Sequence, residues 1–273
     1  MEPFVYRETA GVPLLVLEEW EREFPRLTVG FTARKRGEDE NCRNYALHVG
    51  DAPEQTLENR RKLALLLGMS EDAWTCGEQV HGVQIVEVTR SERGRGKDSR
   101  TTAFPDTDGM FTAEPGVLLA SYYADCVPLY FWAPDVQIVG VAHAGWKGTV
   151  GGIARRMVDK LAGRGVDPGR LRVAIGPSVG PCCYEVDERV IRPLEDMLGD
   201  LTGVAEATLP GKWQLDLKRA NREILIRTGI RPEHVLTSGW CTCCHDAHFY
   251  SHRRDKGKTG RMTAWIGIRE SGC

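Results

Sequence analysis

The chain has 273 residues, of which 41% are hydrophobic and 27% charged, and its formal net charge is −2. This length allows one large domain or two small ones, and the ordinary hydrophobic content excludes a disordered chain. The near-neutral charge gives no electrostatic reason to expect a nucleic acid or an anionic membrane as a partner. The longest apolar run is interrupted by Asp125, and the N-terminus lacks the features of a signal peptide. We therefore expect a soluble, cytoplasmic protein.

The first well-signalled element along the chain is a helix that begins after Asp51. Asp51 is a candidate N-cap, Glu54 completes a D-x-x-E capping box with it, and Gly68 ends the helix. Residues 83–88 alternate in hydrophobicity and predict a strand. Residues 91–102 are polar and glycine-containing, and they predict an exposed loop.

The middle of the chain is rich in predicted strands. Residues 117–122, 127–132 and 138–142 are apolar runs of strand length, bounded by turn residues. A predicted helix over 149–162 and a strand over 171–175 then complete a strand–helix–strand crossover, which favours parallel pairing.

The last third of the chain predicts two more helices, over 187–198 and 216–228, and a final strand that ends near residue 268. The chain shows neither an internal repeat nor a clear linker. These patterns predict an α/β fold in which residues 1–273 form a single domain, with a mixed, partly parallel β-sheet flanked by helices.

The cysteine content is unusual. The nine cysteines are Cys42, Cys76, Cys126, Cys182, Cys183, Cys241, Cys243, Cys244 and Cys273. A secreted disulfide framework is normally shorter, has an even number of cysteines and follows a signal peptide. Reduced thiols or metal thiolates fit this chain better.

Three side chains that can bind a metal lie at the ends of predicted strands: His81, Cys126 and His143. Each taken alone fits a turn or a core position equally well. If one sheet edge brings them together, two imidazoles and one thiolate form a catalytic zinc set whose fourth position stays open. Such a zinc lowers the pKa of bound water to about 7. A metal-free alternative uses Cys126 as a nucleophile with His143 as its base. Such a dyad has less need of a second histidine, so His81 favours the metal site.

A second group of cysteines lies near the C-terminus, between Cys241 and His245. Dense cysteine and histidine can indicate a structural zinc, but a closed site usually draws on two separated ligand pairs. The second pair would have to come from Cys182 and Cys183. The other interpretation is that these cysteines pack on a buried turn.

Arginines supply a further indication of ligand binding. Arg60 lies in the first predicted helix, and Arg253 lies in a basic segment near the C-terminus, with Arg261 beyond it. Arginines can hold a phosphate or a carboxylate through two parallel hydrogen bonds. A solvated face, or an ion pair with a neighbour such as Asp255, is the alternative.

Five ordered sequence blocks make the chain resemble the bacterial YfiH/YlmD-type family. The blocks are EQVHG (78–82), ADCVPLYF (124–131), AHAGWKGT (142–149), IGPSVGPCCYEV (175–186) and FYSHRRD with TGR (249–255 and 259–261). Members of that family are described variously as polyphenol oxidase or laccase, purine nucleoside phosphorylase and peptidoglycan editing factor. The resemblance extends from residue 44 to residue 268 and is strongest to the YlmD-type branch.

The resemblance implies a metal bound by His81, Cys126 and His143, with zinc as the expected ion and copper as the other candidate. It also implies phosphorolysis of adenosine, inosine, guanosine and methylthioadenosine, and hydrolytic deamination of adenosine. Asn44 and Arg60 are implied as pocket residues. With Arg253, we expect them to bind the nucleoside and phosphate.

Other functions remain open or are disfavoured. A multicopper laccase needs about ten histidines, many in His-x-His pairs, whereas this chain has seven histidines and no such pair. The His-x-Glu and Pro-Cys-x-x-Cys motifs of classical zinc deaminases are absent too. A hydrolase that edits peptidoglycan precursors stays an alternative. A metal-binding regulator is less attractive, because regulatory zinc is usually held by four protein ligands.

Overall fold

The computed structural model describes residues 1–39 and 42–271; Cys273 lies outside the described residues. The strands are β1 Val5–Thr9, β2 Val12–Val16, β3 Leu27–Thr32, β4 Trp74–Cys76, β5 Gln84–Glu87, β6 Thr107–Thr112, β7 Leu118–Tyr123, β8 Val127–Ala133, β9 Ile138–Ala144, β10 Arg172–Ile175, β11 Glu185–Asp187, β12 Ala205–Leu209, β13 Lys212–Leu215, β14 Val235–Thr237 and β15 Met262–Ile268. The α-helices are α1 Glu18–Glu23, α2 Pro53–Leu66, α3 Trp146–Val150, α4 Ile153–Ala162, α5 Glu188–Leu198 and α6 Leu217–Arg227.

These strands form two six-stranded sheets and one small sheet. The first sheet has the order β1-β2-β3-β15-β7-β4, the second β14-β10-β8-β9-β6-β5, and the third β11-β13-β12. Most pairs are antiparallel, but β4 runs parallel to β7, β5 to β6, and β10 to β14. The predicted α/β fold with a mixed, partly parallel sheet is therefore confirmed.

The two large sheets pack against each other, and helices cover their outer faces. Leu119 of the first sheet and Tyr130 of the second belong to one buried apolar cluster between the sheets. On the other side of the second sheet, Leu129 packs in a cluster with Met157 of α4. Helix α2 covers the first sheet through Leu63. Because both faces of β7, β8 and β9 are buried, their sequences are continuous apolar runs, which made them predictable.

The predicted crossover between residues 138–142 and 171–175 is present as β9 and β10. Both strands pair antiparallel with β8, which lies between them, so they run parallel to each other. The predicted helix over 149–162 is in fact two helices, α3 and α4. The break falls at Gly151 and Gly152, where Gly152 has a left-handed backbone with φ +80°. Few side chains other than glycine adopt that conformation without strain.

The first predicted helix has a different start from the one expected. Helix α2 has Ala52 as its N-cap residue, and no side chain forms a capping hydrogen bond. The predicted D-x-x-E capping box at Asp51 is therefore wrong, although Pro53 does occupy the first turn. The helices predicted over 187–198 and 216–228 begin after Asp187 and Asp216, whose side chains do accept capping hydrogen bonds.

Four connections cross from one large sheet to the other: β4 to β5, β6 to β7, β7 to β8, and β14 to β15. The first, third and fourth of these carry His81, Cys126 and the C-terminal basic segment. No helix within the described ranges is long and apolar enough to cross a membrane.

Candidate metal centre

The structure brings His81, Cys126 and His143 together. Their ligand atoms all lie within 4.8 Å of one another. His81 lies in the connection from β4 to β5, Cys126 immediately precedes β8, and His143 is the second-last residue of β9. The rings of His81 and His143 are perpendicular, with centroids 4.8 Å apart. The side chains predicted to converge from three separate strand ends therefore do converge.

Buried Asp108, in β6, holds two of these three residues in place. One of its carboxylate oxygens lies 2.8 Å from Nδ1 of His143. The carboxylate also accepts the backbone N–H groups of Val80, His81 and Gly82 at 3.0, 3.1 and 2.8 Å. Because a carboxylate only accepts here, Nδ1 of His143 carries the hydrogen, which leaves Nε2 free as a metal ligand. The bonds to residues 80–82 also stabilise the left-handed backbone of His81, with φ +61°.

Cys126, His143 and Asp108 each favour the charged form of their neighbour, as the shifts of their pKa values show. Burial alone would raise the pKa of the Cys126 thiol, but the charge and hydrogen bond of His143 lower it to about 6. Burial opposes the charged form of His143, yet the charge of Cys126 and the hydrogen bond to Asp108 raise the pKa of the imidazole to about 9. Burial likewise disfavours the Asp108 carboxylate, and its partners nevertheless lower its pKa. The site thus favours a thiolate.

Gly145 leaves room beside these ligands. A Cβ atom at Gly145 would lie 2.9 Å from Sγ of Cys126 and 3.1 Å from Cδ2 of His81. Its backbone has φ −65°, so the requirement for glycine at this position is space and not conformation. Two imidazoles, one thiolate, a carboxylate behind one imidazole and a gap among the donors fit a three-ligand zinc site.

The donor set opens into a cavity of about 480 Å³. Besides the three ligands, it is lined by His48, Gln79, Tyr122, Ala124, Asp125, Trp146, Lys147, Val179, Tyr184, Leu217, His252, Arg253 and Arg261. Three of these residues are basic and three are aromatic, so the cavity offers both anion-binding groups and flat apolar surfaces. Its volume is in the range of small-molecule sites.

Asp125 holds the C-terminal basic segment next to the three candidate metal ligands through hydrogen bonds. Its carboxylate accepts hydrogen bonds from Oγ1 of Thr242 at 2.6 Å, Oγ of Ser251 at 3.0 Å and the backbone N–H of Arg253 at 2.6 Å. Its backbone is left-handed, with φ +87°. Through these three hydrogen bonds Asp125 positions the residues beside Cys126.

The other predicted site residues divide into two groups. Arg253 lines the cavity, as do Lys147 and Arg261. Asn44 and Arg60 are buried and do not line it. The hydrogen bonds of these two side chains are made to other groups of the protein.

Asn44 and Arg60 instead support residues that line the cavity. Oδ1 of Asn44 accepts the backbone N–H of Arg261 at 3.0 Å. Arg60 donates to the carbonyl oxygens of Tyr45, Gly96 and Lys97. Its guanidinium also lies over the ring of Tyr122, 4.9 Å from the centroid.

Sequence reasoning missed Asp108, His48 and Tyr184. Asp108 interrupts the strand β6 with a charge, which is the signal that could have identified it, because buried acids in strands are usually paired. His48 lies in the block LHVGD (47–51), and Tyr184 in the block IGPSVGPCCYEV (175–186). Arg261 was noted in the basic segment, but no role was assigned to it.

Comparison with known proteins connects this site to a family. Residues 28–269 match the family described as multi-copper polyphenol oxidoreductase laccase. Purine nucleoside phosphorylase YlmD of Geobacillus stearothermophilus is 47% identical over 252 residues, which are 90% of this chain and 92% of the relative. The Bacillus subtilis protein of the same name is 38% identical over 264 residues, which cover 94% of this chain and 95% of the relative.

Solved structures agree with the sequence relatives. The crystal structure of YlmD from Geobacillus stearothermophilus has a TM-score of 0.90 at 44% identity, covering 98% of this chain and 100% of that chain. The structure of the Bacillus licheniformis hypothetical protein YfiH has a TM-score of 0.90 at 39% identity, covering 97% and 99% of the two chains. The resemblance inferred from the sequence blocks is confirmed, and the relatives' names support an enzyme. The chain belongs to the YfiH/YlmD family, whose general description is multi-copper polyphenol oxidoreductase laccase.

Proposed function

We propose that the protein is a zinc-dependent purine nucleoside phosphorylase. Its substrates would be adenosine, inosine, guanosine and methylthioadenosine, each cleaved by phosphate to the free base and the corresponding ribose 1-phosphate. We further propose that it deaminates adenosine with water, releasing ammonia. The observation that carries the proposal is the three-donor centre at a cavity lined by basic and aromatic side chains. The names of relatives at 47% and 38% identity support it.

In the proposed phosphorolysis, the basic cavity residues bind phosphate and the aromatic ones bind the purine. A phosphate oxygen bonds to C1′ of the ribose while the bond from C1′ to the base nitrogen breaks, and that nitrogen takes up a proton. Arg253, Arg261 and Lys147 are the basic groups proposed to hold the phosphate. Tyr184 and Trp146 offer ring faces on which a purine can stack, a contact that tolerates different bases.

His81, Cys126 and His143 are the proposed zinc ligands. A zinc bound by three protein groups acts as a Lewis acid toward a ligand in its open position. Zinc is preferred to copper in this proposal because two imidazoles and one thiolate are a known catalytic zinc set. The chain's seven histidines, without a His-x-His pair, also do not match the copper cluster of a laccase.

The three residues expected to bind nucleoside and phosphate, Asn44, Arg60 and Arg253, have different proposed roles. Arg253 would contact phosphate. Asn44 would position Arg261 through its backbone, and Arg60 would support Tyr122. We therefore expect substitution of Asn44 or Arg60 to act on the shape of the cavity rather than to remove a phosphate contact.

The test is product analysis by liquid chromatography, with metal content measured on the same samples. We expect wild-type protein to release free base from each nucleoside only when phosphate is present, and to form inosine from adenosine without phosphate. His81→Ala should lose the zinc of this three-donor centre and both activities, whereas the control His234→Ala, outside the cavity, should retain them. Unchanged adenine and inosine formation by His81→Ala would contradict the proposal. So would copper as the bound metal together with oxygen uptake on phenols.

A metal-free cysteine hydrolase is a second candidate, favoured by one specific arrangement. Cys126, His143 and Asp108 stand in the order of nucleophile, base and orienting carboxylate. In this alternative, removal of the metal by a chelator would leave activity intact and Cys126→Ser would abolish it. Loss of activity on chelation and its recovery on adding zinc would exclude the alternative.

A further inference from the structure

Four cysteines outside the cavity meet at one point on the surface. Cys182 and Cys183 lie in the turn that follows β10, and Cys241 and Cys244 lie in the connection from β14 to β15. All four sulfur atoms lie within 4.8 Å of one another. The sulfur of Cys244 is 3.4 Å from that of Cys182 and 3.3 Å from that of Cys183.

Core packing does not explain this cluster. Cys241 is buried, but Cys182 and Cys244 are exposed and Cys183 is half-buried. A cysteine stabilises a core by removing its apolar surface from water, and exposed thiols gain little in that way. The interpretation that these cysteines pack on a buried turn is therefore wrong for three of the four. The separations of 3.3 and 3.4 Å also exceed the roughly 2.05 Å of a disulfide bond.

The spacing suits a tetrahedral metal. A zinc–sulfur distance of about 2.3 Å places the corners of a tetrahedron about 3.8 Å apart, which is within the spread of these four sulfurs. Cys241 and Cys244 have the C-x₂-C spacing common in zinc sites. The backbone N–H of Gly180 donates to Sγ of Cys241 at 3.2 Å.

We infer that Cys182, Cys183, Cys241 and Cys244 form a second, closed zinc site with a structural role. Four thiolates fill the coordination sphere of zinc and leave no position for a substrate. The ion would join the turn after β10 to the connection between β14 and β15, two segments far apart in sequence.

This second site lies next to the hydrogen bond between Thr242 and Asp125, beside the three-donor centre. Thr242 follows Cys241, and its side chain donates to Asp125, which immediately precedes Cys126. The backbone N–H of Thr242 is also bonded to the carbonyl of Ser178 at 3.0 Å. A zinc at the four cysteines would hold Thr242 from one side while Asp125 holds it from the other.

The test is metal stoichiometry in protein purified under reducing conditions and supplied with zinc. We use a His81→Ala background, so that the three-ligand centre does not contribute and the result is independent of the proposed function. One zinc per chain is expected in that background and none after the further change Cys244→Ser. The control changes Cys243→Ser, in the same turn, and Cys42→Ser, elsewhere, should retain the zinc.

Cobalt substitution in the His81→Ala background, without the Cys244→Ser change, decides the matter even if the Cys244→Ser protein fails to fold. Four thiolates should give about four times the thiolate-to-cobalt absorption of a single one. Zinc content that is insensitive to Cys244→Ser, or cobalt absorption that indicates one thiolate, would overturn the inference. Iron or copper in place of zinc would overturn it too, and so would a mass two hydrogens lower, which reveals a disulfide.

Discussion

Asp108 shows how a residue that binds no metal can determine a metal site. It is buried, and its two oxygens serve four hydrogen-bond donors: the ring of His143 and the backbone of residues 80–82. The carboxylate thereby fixes the orientation of one ligand and the backbone position of another. Such a partner also increases the basicity of the imidazole that it contacts.

Replacing Asp108 by Asn should weaken metal binding without a large change in shape. An amide nitrogen cannot accept, so at least one of the four donors loses its partner, and the negative charge behind His143 disappears. We expect zinc affinity to fall by about 10- to 100-fold. Competition with a chelating dye measures this, and the exposed Asp135→Asn is the matched control. Affinities within twofold of each other would show that Asp108 has no such role.

Gly145 offers a test of space among the ligands. The methyl group of Gly145→Ala would lie within 3 Å of Sγ of Cys126, where a bound ion needs room. We expect the zinc bound at this centre to fall by more than half while the metal-free protein unfolds at nearly the wild-type temperature. Gly163→Ala is the control, because its added Cβ meets only ordinary contacts at 3.4 and 3.5 Å. Equal zinc content in the two variants would refute the steric argument.

The convergence of the three candidate ligands could be predicted from the sequence, whereas the groups that support them were not predicted. His81, Cys126 and His143 stand out because each is a metal-binding type at the end of an apolar run. Asp108 lies inside strand β6 and not at its end. Its hydrogen-bond partners are 26 to 35 residues away in the chain, so the sequence does not show which donors it meets. The expectation for Asn44 as a pocket residue came from the family resemblance, and the sequence gives no sign of its hydrogen bond to the backbone N–H of Arg261.

At the scale of elements, predictability followed burial. Strands β7, β8 and β9 are buried on both faces and gave clear apolar runs. Strands β12 and β13 are short and largely exposed or half-buried, so their sequences lack a hydrophobic pattern, and they were not predicted. Strand β3 is buried throughout, but its polar threonines and Gly30 interrupt the pattern. Gly30 is required there because a Cβ would meet the ring of Trp265 at 2.5 Å.

The connection from β14 to β15 makes polar contacts with Asp125, and Thr242 tests their importance. Thr242→Val keeps the shape but removes the donor to the Asp125 carboxylate. A hydrogen bond to a charged group contributes about 1.5–3 kcal/mol, so we expect the free energy of unfolding to fall by about 2 kcal/mol. Urea denaturation measures it. The control Thr208→Val makes the same change on an exposed strand, and an equal effect there would contradict this account.

At the scale of the whole molecule, the candidate active site lies at passages of the chain, that is, connections that lead from one large sheet to the other. His81 and Cys126 lie on two of the four such passages, and Asp125 accepts a hydrogen bond from Thr242 on another, the connection from β14 to β15. Local sequence patterns do not encode which passages meet, because the meeting depends on the strand order of both sheets. We propose that residues 1–273 act as one domain, since this centre draws its ligands from connections that belong to both sheets.

A metal at this centre should stabilise the whole molecule, because unfolding of either sheet would scatter its ligands. An ion that binds only the folded state at 1,000 times its Kd adds about 4 kcal/mol. For a chain of this size each kcal/mol raises Tm by roughly 2–4 °C, so chelation should lower Tm by about 10 °C. Calorimetry with and without chelator measures this. His81→Ala should show a clearly smaller shift, whereas His234→Ala should match the wild type. Equal shifts in all three proteins would place the stabilising metal elsewhere.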